Sequence, residues 1–197
     1  MAAHLVLASA SPRRRELLAQ IGVRHEVRPV DLDETRMPGE APRDYVVRLA
    51  LDKARAAWER VGHVAQTVIL AADTAVVLGD EILGKPRDRA DALAMLGRLS
   101  GRTHRVLTAV AVCDASGVKS DCNESLVSFR TLGPGEAEQY WNTGEASDKA
   151  GAYAVQGCAA LFIERIEGSY SGVMGLPLFE TARLLAGAGI AVWKPVR

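Results

Sequence analysis

Charged side chains gather at four places in an otherwise apolar sequence. Three consecutive arginines occupy residues 13–15, an acidic loop surrounds Glu34, Asp73 follows the apolar run TVILAA, and a GKPRD segment carries Lys85. Arginine and lysine bind phosphate oxygens, and one or two carboxylates can hold a divalent metal together with a substrate phosphate. Cations combined with two or more carboxylates are typical of phosphoryl or nucleotidyl chemistry, in which positioning and charge stabilisation provide most of the catalysis.

The arginine triplet lies at the predicted start of a helix. Ser11 is suited to the N-cap, Pro12 to the first helical position and Gly22 to the C-terminal stop. Cations are unfavourable at the positive end of a helix dipole, whereas a bound phosphate there would be favourable. The residues alone therefore leave two interpretations of 13–15 open, a solvated surface cluster or one side of a phosphate site.

Asp73 and Thr74 follow a predicted buried strand over residues 67–72. Ligands of open α/β sheets bind at the carboxyl ends of strands, so we interpret Asp73 as functional rather than as a simple strand-end cap. Other polar candidates have ordinary surface or turn roles when each is taken alone. They are Glu34, Lys53, Lys85, Lys149 and Gln156.

Alternating apolar strands and amphipathic helices surround these side chains. We predict a mixed α/β sheet with a central antiparallel section, flanked by helices, in one domain over residues 1–197. The predicted strands cover residues 4–9, 23–28, 67–72, 104–113, 118–132 and 158–166, with a hairpin turn at Gly79–Asp80. The main predicted helices cover residues 12–21, 42–61 with Gly62 as the stop, 89–99 with Asp88 as the N-cap, and 178–189. Residues 168–177 are predicted as a glycine-rich loop.

Composition excludes several classes of protein. The 24 basic and 24 acidic residues cancel and only 5% of residues are aromatic, which argues against a nucleic-acid binder. The sequence has no GxxxxGK[ST] or GxGxxG motif, and no apolar run has the roughly 18 residues expected of a membrane span. Cys113, Cys122 and Cys158 form no CxxC pair, so we expect reduced thiols in a cytoplasmic protein.

Five segments of the sequence resemble the Maf family of nucleoside-triphosphate pyrophosphatases. They are SASPRRRELL, VDLDET, AADTAVV, GKPRD and AYAVQGCAALFIERIEGSYSGVMGLPL, which follow the family's order along nearly the whole chain. The resemblance implies an elongated mixed sheet with a central cleft, similar to inosine-triphosphate pyrophosphatases, and a possible homodimer. It also implies hydrolysis of a nucleoside triphosphate to the monophosphate and pyrophosphate with a divalent metal, magnesium or manganese.

The same resemblance implies roles for particular residues. Asp73 matches the family's catalytic acid, usually described as a proton acceptor, and Glu34 matches an acidic metal-site position. Either of these two carboxylates could hold the metal while the other accepts the proton. The resemblance places the substrate phosphates on Ser11, Arg13, Arg14, Lys53 and Lys85. It gives Arg15 no role, and we expect Arg15 on the surface.

Three positions of the resemblance distinguish branches of the family by base preference. Arg13, Thr74 and Gln156 match the branch that acts on dTTP and UTP, whereas the branch that prefers 7-methyl-GTP typically carries Trp, Gln and Glu there. The amide of Gln156 can both donate to and accept from a pyrimidine edge. Ala154 replaces a usual glycine, which would be unfavourable if φ were positive there. A 7-methyl-GTP or ITP/XTP pyrophosphatase and a non-catalytic nucleotide-binding regulator of cell division or septation are the alternatives.

Overall fold

A seven-stranded mixed sheet forms the centre of the computed structural model, which describes residues 3–61, 64 and 66–193. Its strands are β1 (His4–Leu7), β2 (Glu26–Val27), β3 (Thr67–Leu78), β4 (Glu81–Leu83), β5 (Thr103–Asp114), β6 (Gly117–Phe129) and β7 (Ile163–Glu167). The order across the sheet is β2-β1-β3-β5-β6-β7, and β4 pairs with β3 at the side. β1 runs parallel to β2 and β3, and the other pairs are antiparallel. The predicted mixed α/β fold with a central antiparallel section is confirmed.

Six α-helices flank the sheet in the described part of the chain. They are α1 (Pro12–Gln20), α2 (Pro42–Arg60), α3 (Arg89–Leu99), α4 (Glu136–Trp141), α5 (Tyr170–Val173) and α6 (Leu178–Gly187). The Asp88 carboxylate accepts a hydrogen bond from the backbone N–H of Asp91 and so caps α3, as the sequence predicts. Ser11 occupies the N-cap position of α1, although its side chain makes no capping bond. No described helix has both the length and the apolar composition to cross a bilayer.

Three apolar clusters pack against the sheet. The first joins α2 to one face of β3 and β5 through side chains such as Ala54, Ala71 and Ala109. The second joins α1 and α6 to the other face at residues such as Ala72 and Val110. The third joins α3 and α4 to that same face further along the strands, at residues such as Val76 and Val106. The last two clusters lie on either side of the Thr74–Thr108 pair, and Met174 packs against both of them.

Several strand boundaries and one loop differ from the sequence predictions. β3 does not end before Asp73 but continues to Leu78, because residues 69–77 pair in register with β5. The predicted strand over 158–166 begins instead as a 3₁₀ helix, Cys158–Phe162, and only β7 is extended. The predicted loop over 168–177 contains the short helix α5, whose Ser169 hydroxyl accepts the Gly172 N–H.

The predicted strand over residues 23–28 is reduced to β2, a short edge strand. The predicted stop of α2 at Gly62 lies outside the described residues. The three cysteines are free: Cys113 is buried, Cys122 half-buried and Cys158 exposed. A single domain over residues 1–197 remains our prediction.

Candidate active site

A cavity of about 690 Å³ opens over the middle of β3, between α1 and the segment 148–156. All nine predicted site residues line it: Ser11, Arg13, Arg14, Glu34, Lys53, Asp73, Thr74, Lys85 and Gln156. Lys149 and Asp148 complete the opposite wall. Arg15 is exposed and does not line the cavity. The structure therefore brings together side chains that are up to 145 positions apart in the sequence (11 to 156).

Lys53 joins two of the carboxylates that line the cavity, Asp73 and Glu34. Its Nζ atom lies 2.7 Å from Asp73 Oδ1 and 2.5 Å from Glu34 Oε1. Asp73 is buried on β3, whereas about half of the Glu34 side chain is exposed on its loop. Burial raises the pKa of the Asp73 carboxyl, and the charges of Lys53 and Arg14 oppose that shift. Asp73 is thus a desolvated carboxylate at the base of the cavity, and Lys53 supplies the nearest compensating charge.

Arg14 is held by the protein on three sides. Its Nε donates to the Gly175 carbonyl at 2.8 Å, its Nη1 to Ser9 Oγ at 3.0 Å and its Nη2 to Thr74 Oγ1 at 3.3 Å. Burial lowers the pKa of the guanidinium, and Asp73 and Glu34 partly restore it. A guanidinium carries five N–H groups, so two remain for a ligand in the cavity.

Arg13, Lys85 and Gln156 face the cavity without protein partners. In the described part of the chain, none of the three forms a hydrogen bond or ion pair. Although burial acts to raise the pKa of Asp148, Lys149 and Arg13 outweigh it and hold that pKa below its usual value. Arg13 therefore lies near Asp148, whereas Arg14 lies near Asp73. Adjacent residues on α1 thus serve opposite parts of the cavity, because a helix turns about 100° per residue.

A tight turn positions the wall that carries Lys149 and Gln156. Gly151 has φ +68°, and a Cβ atom there would lie 2.9 Å from Val76 Cγ1. Ala152 also has a positive φ of 59°, whereas Ala154 does not. The replacement of the usual glycine by Ala154 therefore causes no left-handed strain at that position. After Gln156, the Glu145 carboxylate accepts the Cys158 N–H and caps the following 3₁₀ helix.

Several residues of the site carry no recognisable sequence signal. Ser9 accepts hydrogen bonds from Arg14 and from the Ser11 N–H, and Thr108 bonds Thr74 across the two strands. A serine in an apolar strand end and a threonine in a long strand are ordinary in any sheet. Only the register of β3 with β5, in which Thr74 is directly opposite Thr108, identifies the second residue.

The carboxylates of Glu34 and Asp73, which both contact Lys53, are candidate donors for a divalent metal, and those of Glu16 and Asp148 line the same cavity. In the parts of the chain that the structure describes, no group of three or more His, Cys, Asp and Glu side chains is arranged to hold a metal ion. Magnesium is commonly bound by one or two carboxylates together with substrate phosphates. The donor set therefore fits a hard divalent ion that shares its ligands with a phosphorylated substrate, rather than one held by the protein alone.

Known proteins similar to this chain cover nearly all of it. A family model described as Maf-like protein matches residues 4–188. The dTTP/UTP pyrophosphatase of Hahella chejuensis is 53% identical over 190 residues, which are 96% of this chain and 94% of that protein. The dTTP/UTP pyrophosphatase of Anaeromyxobacter dehalogenans is 56% identical over 199 residues, which are 98% of this chain and 99% of that protein. A solved nucleoside-triphosphatase / dITP/XTP pyrophosphatase from Mycobacterium abscessus matches with a TM-score of 0.42 and 18% identity, covering 73% of this chain and 95% of that chain.

Proposed function

Because this chain belongs to the Maf family, we propose that it hydrolyses dTTP and UTP to the nucleoside monophosphate and pyrophosphate. The observation that carries the proposal is the identity of 53–56%, over 96–98% of this chain, to proteins named dTTP/UTP pyrophosphatase. The cavity supports it, because cations for a triphosphate surround two carboxylates there.

The triphosphate would bind the cations that have no protein partner. Arg13 and Lys85 are free to donate to phosphate oxygens, and Arg14 has two N–H groups left for the same use. Ser11 lines the same wall of the cavity, where its hydroxyl could also contact a phosphate. Since Arg13 and Arg14 serve opposite parts of the cavity, they would contact different parts of the substrate.

Asp73 is proposed as the group that accepts a proton from the attacking water. It is buried and its negative charge is compensated by Lys53, so it is both desolvated and oriented. Glu34 and Asp73 would hold magnesium or manganese together with the substrate. When bound, such an ion supplies charge neutralisation to the phosphates. Gln156 presents an amide with unused donor and acceptor groups, which suits a pyrimidine base.

The first test is a panel of triphosphates incubated with the purified protein and Mg²⁺ or Mn²⁺, with pyrophosphate release as the readout. We expect dTTP and UTP to be the preferred substrates. Release from neither would contradict the proposal. Hydrolysis of 7-methyl-GTP alone, or a preference for ITP or XTP, would assign the chain to one of the alternative pyrophosphatase activities.

The variant D73N tests the role of the carboxylate. Asparagine keeps the size of the side chain and an oxygen for Lys53 but cannot accept a proton, so we expect kcat to fall by roughly 10²–10⁴-fold. Binding of dTTP, measured by calorimetry, should persist. If D73N kept more than half of the wild-type kcat, Asp73 would not be the proton acceptor. If turnover were lost but a cellular effect on division persisted, a regulatory role would be favoured.

Two further predictions accompany the function. A homodimer is expected from the family resemblance, and light scattering of the purified protein would test it. A cytoplasmic location is expected because the three cysteines are free thiols.

A further inference from the structure

A chain of hydroxyl groups runs beneath the cavity from Arg14 to the segment 172–175. Thr108 Oγ1 donates to the Gly172 carbonyl at 2.8 Å, and lies 3.0 Å from Thr74 Oγ1. A threonine hydroxyl has one proton, and a carbonyl can only accept. Thr108 therefore gives its proton to Gly172, and Thr74 must donate to Thr108.

The direction of these bonds decides what Thr74 can do. With its proton given to Thr108, Thr74 Oγ1 presents a lone pair to Arg14 Nη2, 3.3 Å away. Arg14 Nε meanwhile donates to Gly175, three residues beyond Gly172. The bonds close a ring through Arg14, Thr74, Thr108 and the 172–175 backbone. Because Thr74 is committed on both sides, its hydroxyl has no proton left to donate to a substrate.

The position of Thr108 suits it to hold the Thr74 hydroxyl in one orientation. It is 1% exposed and directly opposite Thr74 in the β3–β5 register. Along β5 it lies between Val106 of one apolar cluster and Val110 of another. A buried hydroxyl with two partners holds one orientation, since losing either partner would leave a polar group unsatisfied.

We propose that Thr108 is a positioning residue that fixes the Arg14 guanidinium through Thr74 and couples it to the 172–175 segment. It contacts no substrate itself. The kinetic test of this inference rests on the proposed function. The orientation of the Arg14 side chain can be tested without any substrate.

The variants T108V and T108S test the proposal. Valine keeps the shape of threonine without the hydroxyl, and serine keeps the hydroxyl. We expect T108V to lower kcat/KM for dTTP by about 10-fold, which corresponds to one lost hydrogen-bonded link, and T108S to stay within about 2-fold of wild type. The matched control is T181V, because Thr181 is also fully buried but its hydroxyl has no partner among the described residues. T181V should leave kcat/KM unchanged.

A double-mutant cycle separates positioning from general damage. If Thr108 acts through Arg14, adding T108V to R14K should change kcat/KM by less than about 2-fold, whereas independent structural damage would multiply the two effects. Multiplicative effects, or wild-type kcat/KM in T108V, would overturn the proposal. Should T108V not fold, T108A is measured in the same cycle with the same expectations.

Hydrogen exchange at Arg14 gives a readout that needs no substrate. The Arg14 Nε–H, identified by NMR through its loss in R14K, should exchange at least about 10-fold faster in T108V than in wild type and at the wild-type rate in T108S. If the protein hydrolyses neither dTTP nor UTP but this exchange pattern holds, the proposed function fails and the positioning role stands. If exchange at Arg14 is the same in T108V and wild type, the positioning role fails.

Discussion

At the scale of single residues, the two central arginines of the cavity differ in their surroundings. Arg13 makes no hydrogen bond or ion pair within the described residues, and Arg14 makes three hydrogen bonds to Gly175, Ser9 and Thr74. A cation without partners is available for a phosphate but contributes little to folding. A cation with three protein partners contributes both to phosphate binding and to the stability of the fold. Mutations at Arg13 and Arg14 can therefore distinguish the roles of these two neighbouring arginines.

We expect R13M to weaken substrate binding without weakening the fold, and R14M to weaken both. R13M should raise KM for dTTP while the free energy of unfolding changes by less than about 0.5 kcal/mol. R14M should lower that free energy by about 1–3 kcal/mol, because it leaves acceptors around the cavity without their donor. Urea unfolding and steady-state kinetics on both variants make the measurement, and R15M is the surface control. Equal stabilities for R13M and R14M would contradict the division of roles.

The sequence predicts which residues meet in the cavity but not what each one bonds. Cations and carboxylates are recognisable by type, and all nine predicted residues line one cavity. The clamp on Arg14 could not be predicted, because Gly175 lies 161 positions away and accepts through its backbone. Thr108 carries no sequence signal for a similar reason: its importance comes from strand register, which residue type does not reveal.

At the scale of elements, local signals predicted what local interactions determine. The cap of α3 at Asp88 and the turn at Gly79–Asp80 are short-range features, and both are present. The predicted end of β3 is wrong, because a carboxylate after an apolar run is typical of the end of a strand. In the structure, pairing with β5 carries the strand through Asp73, and Lys53 on α2 compensates the buried charge. Pairing with β5 and the charge of Lys53 thus outweigh the local sequence pattern, which predicts a strand end at Asp73.

The turn at Gly151 makes a prediction at this scale. In G151A, the added Cβ would approach Val76 Cγ1 to 2.9 Å and the backbone would keep its left-handed φ of +68°. Together these effects should lower the free energy of unfolding by about 2–4 kcal/mol. Because the same turn carries Lys149 and Gln156, KM for dTTP should also rise.

The matched control is G97A. Gly97 is exposed within α3, and a Cβ atom there meets nothing within 4 Å. Alanine in a helix interior is better than glycine by about 0.5–1 kcal/mol, so G97A should be more stable than wild type and equally active. Urea unfolding of both variants compares them. If G151A were as stable as wild type, the close contact with Val76 would not constrain the turn.

At the scale of the whole molecule, the cavity lies where two apolar clusters adjoin on one sheet face, and Met174 packs against both of them. Thr74 lies between Ala72 and Val76, which belong to different clusters. Between the clusters, Thr74 lines the cavity and the buried Thr108 bonds to it. The cluster around α3 and α4 contains a second buried polar pair, in which His104 Nε2 and the Tyr153 hydroxyl are 2.8 Å apart. The stability of that half of the molecule should therefore depend on the protonation of His104.

His104 is 2% exposed, and burial lowers its pKa from 6.5 to about 4. Between these values the unfolded chain binds a proton that the folded chain does not, so stability is complete above pH 6.5 and falls as the pH drops towards 4. The loss should reach about 2 kcal/mol at pH 5 and about 3 kcal/mol below pH 4.

In H104F the ring stays within the aromatic cluster of Phe129 and Tyr153 but cannot be protonated. Urea unfolding at pH 8 and pH 5 should show a smaller loss in H104F than in wild type, by about 2 kcal/mol. Equal losses in the two proteins would mean that His104 does not control acid stability.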